Sequence, residues 1–273
     1  MVMPIVREPL DPKISQWHFL AFYLRFLREK QGLSLTQVGK ILNLARSSVS
    51  NIEAGRFRPH EEHLAKLDEL YGTGVLLRTM LWYARMAHDP DWGRQLVKYE
   101  EEAASIRIFH GDSIPRPFQT EAYMRAVVEE GTVEDVEARI ARRMARQQAL
   151  LERDKPASFW VILKESALEC EVGGRKVMQE QLVHLRQMMD LPNVIFRFVQ
   201  PSAGAHRGFD GPFQVLSLAG RDVAYAGAQN GGRLIEVPIE VREFWTKFEY
   251  IGAKALPQDA SLVLVERYLE QFT

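Results

Sequence analysis

The chain has 273 residues, of which 46% are apolar and 26% charged, and a formal net charge of −1. These are the values of a soluble globular protein of one large or two ordinary domains; no apolar run reaches the roughly 18 residues of a membrane span, and the first residues lack a basic-then-apolar leader, so a cytoplasmic protein is expected. Charge is divided unevenly: residues 1–60 hold nine Lys/Arg against four acids, +5, and the remainder 26 against 32, −6, a locally basic module suited to a polyanion.

In chain order, Asp11-Pro12 reads as a capping acid before a first-turn proline, opening a helix that runs to Gln31 and stops at Gly32. Trp17, Leu20, Leu24 and Leu27 make its inner stripe, while Phe19, Phe22, Tyr23 and Phe26 add a second apolar face. A small helical domain offers this helix one core side, so the surplus aromatics call for a partner: the C-terminal domain or a second subunit. Residues 33–59 then read as two short helices joined by a tight turn. Ser34 caps the first, Val38, Ile41 and Leu42 share one of its faces, and Asn43 ends it in the left-handed conformation. The second runs from about Arg46 to Ala54, with Val49 and Ile52 inward and Gly55 as the stop. Its other face carries Arg46, Ser47, Ser50 and Asn51, polar groups of a length to reach base edges in a major groove.

Gly32-Leu33-Ser34, Val38-Gly39, Val49-Ser50, Ile52-Glu53, Gly55-Arg56 and Pro59 stand at the spacing of the XRE-type helix-turn-helix, and the stretch resembles that family of lambda-type phage repressors and their bacterial relatives. The resemblance implies an all-α, five-helix, lambda-repressor-like DNA-binding domain over residues 1–88. Arg46, Ser47, Ser50 and Asn51 are then the base contacts, and Ser34, Gln37, Lys40, Arg56 and Arg58 the phosphate contacts. Arg28 and Glu53 occupy the positions that pair across the first and third helices, a structural role. This sequence departs from the family at Leu35, where a phosphate-touching Gln is frequent, and at Ala45, where Ser or Thr usually caps the recognition helix.

A fourth helix is expected over Glu61–Tyr71 and a fifth from Thr73, with His60 and His63 at a solvated helix start rather than a metal site. His88–Gly93 reads as a hinge. In residues 89–273 the pattern predicts a helix over Lys98–Ile108, a proline-rigid loop from Ile114 feeding a helix capped by Thr120, and a helix over Val133–Glu152 whose outer row is Arg139, Arg142, Arg143 and Arg146. That row reads first as a solvated face, with an acidic-partner site or an auxiliary DNA contact as the alternatives. Strands follow over Ala157–Lys164 and Asn193–Gln200 around a helix at Lys176–Met189. Two more, Phe213–Leu218 and Val223–Ala228, form a hairpin, and helices Val241–Ala255 and Ser261–Gln271 close the chain. The fold class is therefore α+β overall: a helical domain, then an α+β domain with a small mixed sheet flanked by helices. The lone Cys170 excludes an intrachain disulfide and a Cys-based metal cluster and suits a buried structural thiol.

The second half also resembles the C-terminal domain of actinobacterial WhiJ-like regulators. The resemblance rests on Tyr99-Glu100, Pro115, Phe118-Gln119-Thr120, Tyr123, Arg125-Ala126, Arg143, Arg146-Gln147, Trp160, Glu165, Leu168, Val172-Gly173-Gly174, Gln181-Leu182, Pro192-Asn193-Val194, Gly204, His206 and Tyr225. It implies a transcriptional regulator, described as antitoxin-like, often encoded beside a small acidic partner protein. Phe118, Gln119, His206 and Tyr225 mark a candidate ligand or partner loop, although Arg116-Pro117 and Gly227 depart from the family there. The chain has no Gly-x-Ser-x-Gly, no phosphate loop and no metal quartet; Glu165 and Glu169 read as surface acids; and no enzyme activity, cofactor or metal is expected. Two functions are consistent with these residues. One is a homodimeric regulator of a palindromic operator in double-stranded DNA, sensing a small-molecule effector or partner. The other is an antitoxin-like neutraliser of a small partner protein that binds DNA to regulate itself.

Overall fold

Ser15, rather than Asp11, starts the first helix. Asp11 and Pro12 instead make a turn in which the Asp11 carboxylate accepts from the Lys13 amide at 2.9 Å. Helix α1 (Gln16–Lys30) follows, with Ser15 Oγ accepting from the His18 amide at 3.1 Å; a serine in extended backbone satisfies an amide that the first turn leaves open. The computed structural model describes residues 10–86, 92–131, 135–227 and 232–272. Its contacts divide into two units at Trp92/Gly93, against the 88/89 boundary expected; positions 88–91 of the expected hinge lie outside the described residues.

The N-terminal unit adds α2 (Leu35–Leu42), α3 (Arg46–Glu53), α4 (Glu61–Tyr71) and α5 (Leu76–Met86). Trp17, Leu20, Leu24 and Leu27 meet Val38, Leu42, Val49, Ile52, Leu64, Leu67, Leu77 and Leu81 in one core. Helices this short are marginal alone. Burial of each such side chain, worth about 1.5–3 kcal/mol, holds them together. Asp68, 1% exposed, ties α4 to α5 by accepting from the Thr73 hydroxyl at 2.6 Å and the Leu77 amide at 2.9 Å. Burial works against its charge, but these bonds and those from Arg78 prevail and hold its carboxyl below the usual range. Asn43 takes φ 58° at the α2–α3 turn, and the Leu44 amide returns to the Gly39 carbonyl at 2.8 Å.

The C-terminal unit contains α6 (Trp92–Glu102), β1 (Ser105–His110), α7 (Glu121–Glu129), α8 (Val136–Leu151), β2 (Ser158–Lys164), α9 (Ser166–Glu169), α10 (Arg175–Met188) and β3 (Val194–Val199). It ends with β4 (Phe213–Leu218), β5 (Arg221–Ala226), β6 (Arg233–Ile235), α11 (Pro238–Gly252) and α12 (Gln258–Phe272). The sheet is mixed, in the order β3-β2-β1-β4-β5-β6. Its β1, β2 and β3 are parallel, and β4, β5 and β6 join antiparallel. One face, with Phe109, Ile162, Val199, Phe213, Val215 and Ala224, packs on Phe248 and Ile251 of α11. On the other, Phe159 and Phe196 receive the Phe118 ring at 5.3 and 4.8 Å.

Three expectations are corrected and one strand is added. Lys98–Ile108 is not one helix: α6 ends at Glu102 and β1 begins at Ser105. Ile106, Ile108 and Phe109 are each 1% exposed, and a central strand buried on both faces loses the alternation that separates it from a helix. Strand β6 is too short to announce itself. Cys170 is exposed. Glu165 is buried and accepts from Gln200, Arg267 and Tyr268, each at 3.0 Å, tying α9 to α12.

A Cβ at Gly39 would stand 2.6 Å from the Leu44 carbonyl oxygen, a contact with backbone that only a shift of the turn relieves. Gly39→Ala is expected to cost about 1–3 kcal/mol as overpacking does. Amide hydrogen exchange should quicken in α2 and α3 and stay unchanged in the six-stranded sheet.

Candidate nucleic-acid interface

The interface is built on α3, an eight-residue helix with two unlike sides. Val49, Ile52 and Glu53 are buried, whereas Arg46 and Ser47 are exposed and Ser50 and Asn51 half-buried along the opposite side. The 3.6-residue period places the four polar side chains on one edge. At its start Ala45 offers no side-chain cap, so the departure seen in sequence is not made good by a side chain of its own.

A buried ion pair sets the direction of this edge. Arg28 of α1 donates from Nε to both Glu53 carboxylate oxygens at 2.7 and 2.9 Å and from Nη2 at 2.8 Å. Its Nη1 reaches the Leu33 carbonyl at 3.0 Å, so one guanidinium holds α1, the entry to α2 and the end of α3. The two side chains are 13% and 7% exposed, which makes the pair directional and weakly screened. The hydrogen bonds to Glu53 raise the Arg28 pKa against the opposing effect of burial. Burial and the Glu53 carboxylate together push the Tyr71 hydroxyl up to about 12.

The residues read as phosphate contacts have distinct local duties. Ser34 and Gln37 form a reciprocal capping box, with Ser34 Oγ accepting from the Gln37 amide at 3.2 Å and Gln37 Oε1 from the Ser34 amide at 2.8 Å. Lys40 is exposed on α2. Arg56 donates Nε to Asn51 Oδ1 at 2.8 Å, and the Arg58 guanidinium lies 4.4 Å from the Trp17 ring centre. Asn51, expected from the sequence as a base contact, and Arg56, expected as a phosphate contact, are thus one hydrogen-bonded unit. Spacing alone did not reveal this; the return of the chain after Gly55, where the Arg56 amide bonds the Asn51 carbonyl at 2.8 Å, brings them together.

In the C-terminal unit the four candidate loop residues are not gathered at one point. Phe118 is fully buried. Gln119, 4% exposed, donates to the Ile114 carbonyl at 2.7 Å. His206 packs on Phe109 at 5.8 Å and accepts from the Gly208 amide at 3.1 Å, on the sheet face that α11 covers. Tyr225 pairs with Gln214 across β4 and β5, one position along from the Val215–Ala224 pair that faces α11. It therefore lies on the opposite face from His206. The segment around Phe118 is clamped by two glutamines. Gln147 Nε2 donates to the Pro117 and Gln119 carbonyls, both at 2.9 Å, and Gln181 bonds the Phe118 carbonyl at 2.8 Å and the Thr120 amide at 2.7 Å.

A family model described as "Helix-turn-helix domain" matches residues 20–81, the stretch that runs from within α1 into α5 and carries Arg28, Glu53 and the polar edge of α3. A second, described as "Domain of unknown function (DUF5753)", matches residues 93–267, nearly the whole C-terminal unit. No curated protein and no solved structure matches the chain. The helix-turn-helix match marks a DNA-binding regulator, and among the described residues no helix is long and apolar enough to cross a membrane.

Glu53→Ala leaves the Arg28 guanidinium buried without its carboxylate. The loss is expected to be about 3–5 kcal/mol, as for breaking one side of a buried pair. Thermal melting followed by circular dichroism should show the N-terminal unit unfolding first. The double variant Arg28→Met/Glu53→Leu should recover a large part of the loss.

Proposed function

The chain belongs to the DUF5753 domain family, and we propose that it is a sequence-specific transcriptional regulator of the XRE type. In this reading its C-terminal domain mediates oligomerisation and senses an effector or partner protein. The observation that carries it is the polar edge of α3, held by a buried bidentate pair while its opposite side lies in the core. Arg46 takes guanine O6 and N7, and Ser47 and Ser50 follow it along the groove. Asn51 presents its amide nitrogen to adenine N7; its Oδ1, with a second lone pair beyond the bond to Arg56, accepts from N6. Each bidentate pair is worth about 1–3 kcal/mol of discrimination. Lys40, Arg56 and Arg58, with the capped start of α2 at Ser34 and Gln37, take phosphates. Such a protein works at the nucleoid, in the cytoplasm, as a regulator rather than an enzyme.

One helix-turn-helix reads only a few base pairs, so two are combined on a palindrome with half-sites about one helical turn apart. Phe19, Phe22 and Phe26 are 42%, 42% and 46% exposed, and Tyr23 stacks between Phe19 and Phe26 at 6.1 and 6.0 Å. This aromatic face of α1 supports a homodimer. The WhiJ-like motif order supports a small acidic protein as the partner that the C-terminal domain senses.

Binding-site selection tests the assignment. Arg46→Ala should relax preference at one or two positions of each half-site, and Lys40→Ala, on a residue apart from the proposed base contacts, should weaken all sequences alike. With roughly six to ten phosphate contacts per dimer, affinity should fall about 10³–10⁵-fold between about 50 and 200 mM salt. Uniform weakening by Arg46→Ala would move that residue to the phosphate group. Light scattering at micromolar concentration should give the dimer mass; a monomer with and without operator DNA would refute the assembly.

A further inference from the structure

Several arginines of the C-terminal unit are paired with acids: Arg125 with Glu137 and Glu121, Arg186 with Glu266 and Asp190, Arg233 with Glu240, Arg267 with Glu165. Along the outer row of α8, on the sheet side opposite α11, this pairing mostly stops. There Arg116, on the 3-10 turn Arg116–Phe118, stands against Arg139, Arg143 and Arg146 on successive turns of α8. The bonds from Gln147 to the Pro117 and Gln119 carbonyls hold that turn on α8, so the grouping is imposed by the fold. Arg146 alone has an acid, Glu100 of α6, at 2.6 Å. Arg116, Arg139 and Arg143 have no hydrogen-bond or ion-pair partner among the described residues. Burial and the neighbouring cations of Arg116, Arg139 and Arg146 push Arg143 down to about 10. Tyr225 flanks the group: Arg116 and Arg146 act on its hydroxyl, and its ring packs so closely on Gly232 that a Cβ there would stand 2.3 Å away.

Four guanidinium groups with one carboxylate between them repel one another in a partly desolvated setting. An arrangement that the packing enforces and the protein does not neutralise is completed by an anion from outside. The exposed α8 residues beside the arginines are Ala141, Ala145, Gln148 and Ala149, which lack the large anchors that protein interfaces are built around. Arg143 and Arg146 are half-buried, with Arg116 and Arg139 exposed beside them, a short patch that suits a small ligand better than a duplex backbone.

We propose that Arg116, Arg139, Arg143 and Arg146, walled by Tyr225, form a binding site for a small phosphate-bearing anion. The site deepens the sensor reading above and rests on it for its regulatory meaning. The test is calorimetric titration of the full chain with inorganic pyrophosphate in chloride buffer. Saturable binding at one site per chain is expected. Arg143→Gln should weaken it roughly tenfold or more, whereas Arg142→Gln, exposed on the same helix outside the group, should not. Without the anion, Arg143→Gln should melt no lower than the parent, because like-charge repulsion is relieved; pyrophosphate should then raise Tm in the parent and not in the variant. Absence of saturable binding, or equal weakening by Arg142→Gln, overturns the site. So does tighter binding, lost in Arg143→Gln, of a short poly-glutamate peptide or of duplex DNA lacking the operator, which makes the cluster a macromolecular surface. Operator affinity measured alongside separates the two readings. Pyrophosphate binding that leaves operator affinity unchanged upholds the site and removes the sensor role. Intact operator binding without pyrophosphate binding removes the site and leaves the regulator.

Discussion

A guanidinium fork from α1 closing on a carboxylate from α3 decides where the polar edge of the recognition helix points. Arg28 and Glu53 share three hydrogen bonds of 2.7–2.9 Å, and their planar geometry permits one approach of the two helices. Apolar packing between Leu24, Val38, Val49 and Ile52 is strong but non-directional. The apolar spacing of Val49 and Ile52 sets which side of α3 faces the core, but small tilts and slides that would shift Arg46 and Asn51 disturb such contacts little. The ion pair supplies the direction, and the Arg28 bond to the Leu33 carbonyl extends it to the start of α2.

The turn between α2 and α3 imposes a second constraint, of space. Gly39 lets the chain fold back so closely that the Leu44 carbonyl occupies the place of a side chain. Asn43 supplies the left-handed residue the reversal requires. Beyond α3, the bond from Arg56 to Asn51 makes the two side chains one unit; in the proposed complex it would couple base selection to phosphate attraction, so that docking orders both at once.

In the C-terminal unit the sheet is a platform and the glutamines are the positioning devices. Gln147 from α8 and Gln181 from α10 saturate the backbone of residues 117–120, a segment whose polar groups are removed from water beneath Phe118. The loop therefore cannot relax away from α8, and Arg116 is kept beside Arg143. Residues that look like ligand contacts in the sequence, Phe118 and Gln119, are the ones that fix this loop, and the ligand chemistry falls to the arginines around them.

Local chemistry determined much of the N-terminal unit from the sequence alone. Ser34, Asn43 and Gly55 mark helix ends by side-chain capping and left-handed backbone, and the spacing of Val38, Leu42, Val49 and Ile52 sets the inner faces; each signal acts within a few residues. Fold class, helix-turn-helix and mixed sheet followed from such signals, as did a start to α1 that was placed too early, because Asp11-Pro12 and Ser15 offer competing caps and only docking of the helix chooses. What depended on residues far apart in the chain was decided by tertiary structure. Strand β1 is recognisable only from its neighbours β2 and β4, since burial on both faces erases its alternation. His206 and Tyr225, read as one site, are separated by the two faces of the sheet. The arginines of α8, a plain charged face in sequence, become a site because a loop more than twenty residues earlier is held against them. Hydrogen-bond geometry and the loss of water on packing make that difference, and neither is a property of a local stretch of sequence.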